Sequence, residues 1–354
     1  MAYIMDIPSP QEIGKNIQKH RRAQKITQKE FAKRLGKSER TIQKYESGEI
    51  IMKMDVVKEV AEELGVTAVY ENPADLCNDP NVEAVAIVTN TDSHVDMIEL
   101  AMNAGKHVFC EKPLAETVEK CKKAEKIVEA HPELIFMLGF MRRYDHSYAI
   151  AKEKINRGDI GDIVLVRCYS QDPIAIIKGT LEYAPRSGGQ FIDMSIHDID
   201  LIRWLTESEP KKLWAIGGCY EFKQYKDWDD GDNVSCLIQN ENETMAFFYA
   251  GRAAAHGSAV ETEIVGTRGT LRISAVPTDS LLEVMSEHGV CRECYQDFVT
   301  RWHDAYVKEM EVFCDNVATG TPANPNVYDG TKSTNIAFRC KESFLKNELL
   351  TLSE

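Results

Sequence analysis

Between residues 55 and 145 the chain alternates short apolar runs with amphipathic stretches. The runs are short enough for buried strands, and the amphipathic stretches have the spacing of helices. The predicted elements, in chain order, are Ala68 to Tyr70, Asn72 to Cys77, Ala84 to Thr89, His94 to Ala104, His107 to Cys110, Thr117 to Ala130 and Ile135 to Gly139. Strands that alternate with helices in this way predict βα units and a parallel sheet.

From about residue 163 the pattern changes to strands with hairpin-like spacing. These strands are predicted at Ile163 to Ser170, Leu213 to Cys219, Asn233 to Gln239, Met245 to Ala250, Val260 to Val265 and Thr270 to Ile273. Helices are predicted at Gln190 to Leu205 and at Asp297 to Ala318. Together they predict an α+β domain built on an open, mainly antiparallel sheet.

The first fifty residues have helical spacing throughout. Thr27 and Glu30 form a capping box in front of one helix, and Ser38 is placed to cap the next, which runs to Glu46. A tight turn that contains a glycine joins these two helices, which is the arrangement of a helix-turn-helix. A further amphipathic helix is predicted from Asp55 to Leu64.

These patterns predict three domains with different architectures. We expect an all-α helix-turn-helix domain at residues 1–67, a truncated Rossmann-like parallel sheet at 68–145, and the α+β domain at 146–354. The predicted fold class is therefore an N-terminal all-α domain followed by α/β and α+β domains.

Charge divides the chain at the same place. The 354 residues carry 42 Lys and Arg against 56 Asp and Glu, a net charge of −14. Residues 11–50 alone have eleven basic and five acidic side chains, a local charge of +6, whereas residues 51–354 carry −19. An acidic chain normally argues against a nucleic-acid partner, but a basic segment within it suggests two modules with different partners.

Composition narrows the class of protein further. A hydrophobic content of 43% excludes wholesale disorder, and no apolar stretch approaches the ~20 residues that would cross a membrane. The first residues have no pattern of a secretory signal, so we expect a cytoplasmic protein with reduced cysteines. Cys291 and Cys294 are the one close cysteine pair, and we expect ordinary thiols there rather than a metal site.

The basic segment resembles the helix-turn-helix of the Cro and phage-repressor type over about residues 10–67. The matching positions are Thr27, Gln28, Phe31, Ala32, Leu35, Gly36, Ser38, Thr41, Ile42, Tyr45, Glu46 and Gly48. The resemblance implies binding of double-stranded DNA through residues 11–50, with base or phosphate contacts from Gln28, Glu39, Arg40, Gln43 and Lys44. The alternative is a solvated basic helical bundle that serves as a scaffold or a dimer contact.

Two motifs carry candidate chemistry. Lys112 follows the predicted strand His107 to Cys110, at the end of a parallel strand where open α/β sheets bind ligands. Asp193 and His197 lie four residues apart in a predicted helix, so they would stack on one face. A carboxylate in that position can fix the tautomer of an imidazole and raise its basicity, as a general base requires.

These motifs together resemble the glucose–fructose oxidoreductase and inositol dehydrogenase (Gfo/Idh/MocA) family from about residue 55 onward. The resemblance rests on Glu111-Lys112-Pro113, on residues 139–145, on the spacing of Asp193, His197 and Asp200, and on residues 263–271. Within the family the likeness is greatest to inositol 2-dehydrogenases. It implies oxidation of a CH–OH group of a cyclic polyol such as inositol to a ketone, with NAD or NADP as cofactor.

The resemblance also implies a role for individual residues. Lys112 would hydrogen-bond the reacting oxygen, His197 would take the hydroxyl proton, and Asp193 would orient them. Cofactor contacts would come from Thr89, Asn90, His94, Glu111 and Lys112. The polyol would be bound by Arg142, Asp172, Asp200 and His256, although Arg142 and Asp172 could equally form a loop ion pair and His256 a turn.

One part of the family pattern is missing. The family begins with a strand, a Gly-x-Gly-x-x-Gly turn and a helix that hold the cofactor pyrophosphate, and no such turn occurs in this sequence. The helix-turn-helix-like segment lies in its place, which makes cofactor binding doubtful. The strand Ala84 to Thr89 would also lose the first strand of the family as its neighbour. The exposed edge could be covered by Ala68 to Tyr70, by Tyr3 to Met5, by an N-terminal helix or by a partner chain.

Three interpretations follow. The first is a polyol dehydrogenase with an altered Rossmann half and a DNA-binding-like head. The second is a transcription regulator that uses a catalytically inactive dehydrogenase-derived domain as a polyol sensor. The third is a recombined chain that folds only in part. In the first two cases we expect at least a dimer, because an open sheet face and a repressor-like head both favour self-association.

Overall fold

The computed structural model describes residues 10–50, 52–66, 68–273, 278–287 and 289–352. The chain divides into two compact units, Met1–Asn90 (unit 1) and Thr91–Glu354 (unit 2). The three-domain division at residues 67 and 145 stays a prediction. No helix of the described residues is long and apolar enough to cross a membrane.

Unit 1 is built from helices around a small apolar core. The elements are α1 Pro10–Ala23, α2 Gln28–Arg34, α3 Glu39–Glu46, α4 Met54–Glu63, α5 Pro73–Asn78 and strand β1 Ala84–Ile87. Thr27 and Ser38 cap α2 and α3, each side-chain oxygen accepting a backbone N–H three residues on. Phe31 and Ile42 are fully buried in the core between these helices. The predicted α2, α3 and α4 are therefore present with nearly the predicted bounds.

The packing of α1 on α3 depends on a glycine and on a buried ion pair. A Cβ atom at Gly14 would lie 2.3 Å from the carbonyl oxygen of Tyr45, so a larger residue would push the helices apart. Arg21 Nε lies 2.6 Å from Glu46 Oε1, with side chains only 6% and 2% exposed. The amides of Gln18 and Gln28 also donate to Glu46.

The predicted strand Ala68 to Tyr70 is wrong, because these residues form no strand. The chain instead turns into α5, which Asn72 caps and Pro73 begins, and the Tyr70 hydroxyl donates to the Asp79 carboxylate. The described residues of unit 1 contain no strand besides β1, so none of its own strands covers that edge. The alternative Tyr3 to Met5 lies outside the described residues.

Unit 2 begins with the remaining βα elements and continues into a large sheet with helices on one face. The first part contains α6 His94–Asn103, β2 His107–Glu111, α7 Val118–Glu129, β3 Phe136–Gly139 and α8 His146–Asn156. Strands β2 and β3 pair in parallel from Val108 opposite Phe136 to Glu111 opposite Gly139. The predicted parallel arrangement is confirmed here, and it places Lys112 directly after the carboxyl end of β2.

The second part contains β4 Ile163–Pro173, α9 Ile177–Tyr183, α10 Gln190–Asp193, α11 Ile196–Thr206, β5 Pro210–Gly218, β6 Asn233–Asn240, β7 Met245–Ala254, β8 Ala259–Gly266, β9 Thr270–Ile273, β10 Thr278–Ser286, β11 Gly289–Cys294, α12 Phe298–Arg301, α13 His303–Thr319, α14 Val327–Lys346 and β12 Leu350–Thr351. Seven strands form one sheet in the order β12-β5-β6-β7-β4-β8-β9. All its pairs are antiparallel except β4 with β7. Strands β10 and β11 form a separate hairpin.

The predicted helix from Gln190 to Leu205 is two helices, with a break at Met194 and Ser195. The break has a tertiary cause. The carbonyl of Asp193 accepts a hydrogen bond from the Lys112 ammonium at 2.7 Å, and the His197 amide bonds to Met194 instead. An α-helix would have required that carbonyl for its own i to i−4 bond.

Candidate active site

A cavity of about 310 Å³ in unit 2 brings together most of the predicted catalytic and polyol-binding residues. Its lining includes Lys112, Arg142, Asp172, Asp193 and His197. These residues come from four separate segments of the chain. Their convergence in one concave site is what a small-molecule binding site requires.

Lys112 is held by the main chain of the Asp193 segment. Its ammonium donates to the Asp193 carbonyl at 2.7 Å and lies 3.8 Å from the carboxylate oxygen Oδ1 of the same residue. The Lys112 side chain is 20% exposed, so it can still reach a molecule in the cavity. The Lys112 ammonium is therefore oriented by the neutral carbonyl oxygen of Asp193, because its distance to the Asp193 carboxylate is too long for a hydrogen bond.

The Asp193 carboxylate is bound mainly by a residue that the sequence analysis did not include. Its Oδ2 accepts a hydrogen bond from Arg252, which lies in β7 and also lines the cavity. Burial alone would raise the pKa of Asp193, but the charge of Arg252, and then that of Lys112, outweighs it and lowers the pKa. Asp193 is therefore ionised at neutral pH.

The expectation that the Asp193 carboxylate fixes the tautomer of His197 is not met. Among the described residues, the Nδ1 atom of His197 has no hydrogen-bond partner. The break between α10 and α11 explains this result, because the two residues no longer share one regular helix. The edge of the His197 ring packs instead against Phe140, with ring centroids 6.2 Å apart.

His197 is nonetheless suited to accept a proton. It is 7% exposed, in the first turn of α11. Burial, followed by the positive charges of Lys112 and Arg142, lowers the pKa of His197 well below its ordinary value. The imidazole is neutral at neutral pH, and a neutral imidazole can act as a base.

Arg142 has a buried partner of its own. Its Nη1 lies 2.7 Å from Asp198 and 3.0 Å from the hydroxyl of Ser170, and its guanidinium carbon lies 5.4 Å from the centre of the Trp302 ring. The guanidinium is thus fixed in one position at the cavity wall. Asp172 pairs with Arg252 at 2.6 Å, which is a different partner from the loop arginine considered from sequence.

Two predicted polyol-binding residues lie elsewhere. Asp200 is buried against Arg143, with an oxygen–nitrogen distance of 2.5 Å, and it is not part of the cavity lining. His256 lines a separate cavity of about 530 Å³ together with Arg292 and Cys294. Asp200 is held away from the cavity because both of its carboxylate oxygens accept hydrogen bonds from Arg143. Polyol binding by Asp200 and His256 stays a prediction.

The predicted cofactor residues are divided between the units. Thr89 and Asn90 follow β1 in unit 1. In unit 2, His94 is buried and its Nδ1 lies 2.9 Å from the Pro113 carbonyl, which makes it a support for the segment after β2. Glu111 lies next to Lys112, and burial raises the pKa of its carboxyl group although the charge of Lys112 opposes this shift.

The residues present fit the reacting end of a dinucleotide better than its phosphate end. Glu111 and Lys112 lie at the carboxyl end of β2, where a nicotinamide ring binds in open α/β sheets. The phosphate end normally needs backbone N–H groups of a glycine-rich turn between a strand and a helix. The described residues before β1 form helices α1 to α5 and no strand, so this turn has no counterpart.

Arg252 was not among the predicted site residues, although its position along β7 could have indicated it. Along β7 the even-numbered positions Ala246, Phe248 and Ala250 face the core, and Arg252 continues this series. A charged residue at an inward position of a strand needs buried partners of opposite charge. The pattern could therefore have identified Arg252, but not its partners Asp172 and Asp193.

The predicted DNA-contacting residues lie on α2 and α3. Glu39, Arg40 and Gln43 are exposed, and Arg40 has no ion pair among the described residues. Gln28 is half-buried, because its side chain bonds to Glu46 at 2.8 Å and to Gln43 at 3.5 Å. Lys44 pairs with Glu49 at 2.7 Å.

Comparison with known proteins identifies two family models in the chain. Residues 29–140 match the oxidoreductase family with an NAD-binding Rossmann fold, GFO/IDH/MocA, and residues 148–272 match the GFO/IDH/MocA C-terminal domain. The first match begins inside the helical segment, ahead of β1. The first match contains Lys112, the second contains Asp172, Asp193, His197 and Arg252, and Arg142 lies between the two.

Relatives and solved structures agree with these matches. The chain is 33% identical over 288 residues to scyllo-inositol 2-dehydrogenase (NAD(+)) of Bacillus subtilis, covering 81% of this chain and 82% of that protein. It is 29% identical to myo-inositol 2-dehydrogenase of Thermotoga maritima, covering 85% and 89%. The crystal structure of scyllo-inositol dehydrogenase from Lactobacillus casei with bound NAD(H) and scyllo-inositol superposes with a TM-score of 0.80 at 40% identity, covering 84% and 88%.

Proposed function

The chain belongs to the GFO/IDH/MocA oxidoreductase family, and from this membership we propose that it oxidises a CH–OH group of a cyclic polyol to a ketone with NAD. We propose inositol as the substrate class, since the relatives above act on inositols. The observation that carries the proposal is the convergence of Lys112, Asp193 and His197 on one cavity.

Each of these residues has a role that its surroundings favour. His197 accepts the hydroxyl proton, since burial and neighbouring cations keep its imidazole neutral. Lys112 donates a hydrogen bond to the reacting oxygen and stabilises the negative charge that develops on it. Asp193 holds Lys112 through its main-chain carbonyl. NAD, when bound, accepts the hydride from the carbon that carries the oxygen.

The cavity also has groups for the remaining hydroxyls of the ring. Arg142 and Asp172 lie at its wall, and each is fixed by a partner of opposite charge. Fixed donors and acceptors discriminate strongly between hydroxyl patterns, because a mismatched hydroxyl leaves a buried polar group unpaired.

We expect NAD to bind more weakly than in a relative that has the glycine-rich turn. That turn normally contributes several charge-assisted hydrogen bonds of about 1.5–3 kcal/mol each. We propose that Glu111 and Lys112 hold the nicotinamide end, and a cofactor role for Thr89 and Asn90 stays a prediction. Titration calorimetry with NAD, NADP and myo-inositol tests this proposal: we expect sub-millimolar binding of NAD, and undetectable binding of both nucleotides would contradict it.

A second candidate function is DNA binding by unit 1, which would make the chain a polyol-responsive regulator. It is supported by the exposed basic residues of the helical segment that have no ion pair among the described residues, namely Lys15, Lys19, Arg22, Lys25, Lys29, Lys33 and Arg40. Exposed positive charge attracts the phosphate backbone, and α3 has the position of a recognition helix in the predicted helix-turn-helix. The test is binding to duplex DNA at several salt concentrations, where absent or salt-insensitive binding would rule it out.

We also propose that the chain forms a homo-oligomer through the open face of its seven-stranded sheet. The apolar side chains on that face are among the most exposed in the protein, including Trp214, Ile216, Leu237 and Met245. A contiguous apolar face of this kind marks an association surface. Light scattering of the intact chain tests it, with a monomeric mass as the contradicting result. The cytoplasmic location stays a prediction.

A further inference from the structure

Arg252 binds two carboxylates at the cavity that come from different elements. Its Nη1 lies 2.6 Å from Asp172 Oδ2, and its Nη2 donates to Asp193 Oδ2. The Arg252 side chain is 7% exposed, compared with 22% for Asp172 and 17% for Asp193. The arginine is thus the most buried of the three side chains, although all three line the cavity.

The sheet explains how Arg252 reaches both partners. Strands β4 and β7 run in parallel, with Gln171 opposite Gly251, and the register shifts before Pro173, which lies opposite Ala254. This irregularity adds a residue to β7 beside Asp172. Such bulges occur next to active sites because they redirect a side chain.

The lining of the cavity has three positive side chains, Lys112, Arg142 and Arg252, and two negative ones, Asp172 and Asp193, while His197 is neutral. Arg142 pairs with Asp198, so Lys112 and Arg252 are the cations that can pair with Asp193. Asp193 presents Oδ2 to Arg252 and Oδ1 to Lys112, but the second distance is 3.8 Å. The Asp193 carboxylate is therefore drawn toward the arginine and away from the lysine.

We infer that Arg252 is a positioning residue for the proposed oxidation: it keeps the Asp193 carboxylate off Lys112, so that the ammonium stays available to the substrate oxygen. The inference rests on the proposed function for its catalytic consequence. Without Arg252, Asp193 would close onto Lys112 as a direct ion pair, and Asp172 would be left without its buried partner. Both changes would act through residues that line the cavity.

If Arg252 had a purely structural role, a different result would be expected. If Arg252 only supported the sheet, its removal would lower stability and would shift the Asp193 titration as any lost ion pair does, but kcat of the folded protein would not change. The charged and titratable groups around Asp193 are Arg252, Lys112, Tyr183 and Tyr225, and the buried His197 also lines the cavity. Among them, Arg252 has the largest effect on the pKa of Asp193 after burial, and that effect lowers it.

The experiment compares Arg252→Met with Arg252→Lys and with the exposed control Arg157→Met, whose side chain is 61% exposed. The first readout needs neither cofactor nor substrate. Aspartate labelled with ¹³C at the carboxyl carbon is titrated by NMR in the full-length protein, with Asp193→Asn used to assign the signal. We expect Arg252→Met to move the Asp193 titration to higher pH, Arg252→Lys to move it less, and the control to leave it unchanged.

The second readout is steady-state kinetics with inositol and NAD. A displaced reacting group can cost about 100-fold in rate, so we expect kcat to fall by about that factor in Arg252→Met with a smaller change in KM. Arg252→Lys should recover about tenfold, because an ammonium neutralises one carboxylate but cannot bind both as a guanidinium does. Should Arg252→Met fail to fold, Arg252→Lys is compared with the unaltered chain.

The outcomes separate this inference from the proposed function. If the unaltered chain forms no NADH, the proposed function fails, and the NMR titration still decides whether Arg252 controls Asp193. If the chain is active and kcat is unchanged in the folded Arg252 variants, the inference is overturned, whether or not the Asp193 titration moves. A shifted titration together with a lower kcat supports it.

Discussion

Unit 2 buries charged side chains in pairs, whereas unit 1 leaves most of its basic side chains in solvent. In unit 2, Arg142, Arg143 and Arg252 are each at most 7% exposed, and each is bonded to an aspartate. In unit 1, seven lysines and arginines on or beside α1 to α3 have no ion pair among the described residues.

The two charge arrangements suit two different kinds of ligand. Paired and buried charges are fixed in position and nearly neutral as a set, which suits a small uncharged molecule with many hydroxyl groups. Exposed, unpaired positive charges act over a Debye length and attract a polyanion with strong salt dependence. The predictions below test whether the two units can be altered separately.

The largest effect is expected for Lys112→Ala. We expect NADH formation to be abolished, because the variant removes the hydrogen bond to the reacting oxygen. The measurement is the steady-state rate with inositol and NAD. The matched control is Lys122→Ala, since Lys122 is exposed and lies outside the cavity. An equal loss in both variants would contradict the assignment of Lys112.

His197→Gln comes next. We expect kcat/KM to fall by about 10²–10⁴, the usual contribution of a general base. In the unaltered chain the acid limb of the pH profile should lie below pH ~6.5, because the lowered pKa keeps His197 neutral down to more acidic pH. An acid limb at or above the ordinary histidine range, or an unchanged rate in the variant, would argue against His197 as the base.

Glu46→Gln should destabilise unit 1 by about 3 kcal/mol, since it leaves Arg21 buried without its charged partner. Burial alone would raise the pKa of Glu46, but hydrogen bonds from Arg21, Gln28 and Gln18 outweigh it and lower this pKa. The stabilisation by Glu46 is therefore complete above the pKa of the unfolded state, about 4.3, and is lost as the pH falls through the lower pKa of the folded state. Thermal unfolding followed by circular dichroism measures the effect. The control is Glu63→Gln at the exposed pair with Arg34, for which we expect at most about 1 kcal/mol.

The smallest effect is expected for Arg40→Ala. Loss of one base contact costs about 1–3 kcal/mol, and we expect weaker discrimination between DNA sequences together with a flatter salt dependence. Fluorescence anisotropy with duplex DNA measures both quantities. Lys122→Ala, an exposed charge in unit 2, should change neither. Equal effects of the two variants would mean that DNA binding does not depend on α3.

Sequence patterns predicted those parts of the site that depend on residues close together in the chain. Lys112 was predicted because it follows an apolar strand, and His197 because it lies four residues after Asp193 in a predicted helix. The break at Met194 was not predictable, because it depends on a hydrogen bond between Lys112 and Asp193, which are 81 residues apart. Periodicity contains no information on such contacts.

The contacts that the sequence did not predict have the same origin. Asp200 and His197 are three residues apart, yet one is buried against Arg143 and the other lines the cavity. The partners of Arg252 lie 80 and 59 residues away in sequence. The fold class of unit 2 could therefore be predicted from spacing, whereas the pairing of its charges required the positions of β4, β7 and α10.

We propose that the cavity of unit 2 oxidises a cyclic polyol although the sequence contains no Gly-x-Gly-x-x-Gly turn. The most direct test is the absorbance of NADH after the purified full-length chain is mixed with NAD and with scyllo-inositol or myo-inositol. We predict saturable NADH formation with at least one inositol, and none from Lys112→Ala. Absence of NADH with both inositols at saturating NAD would contradict the claim.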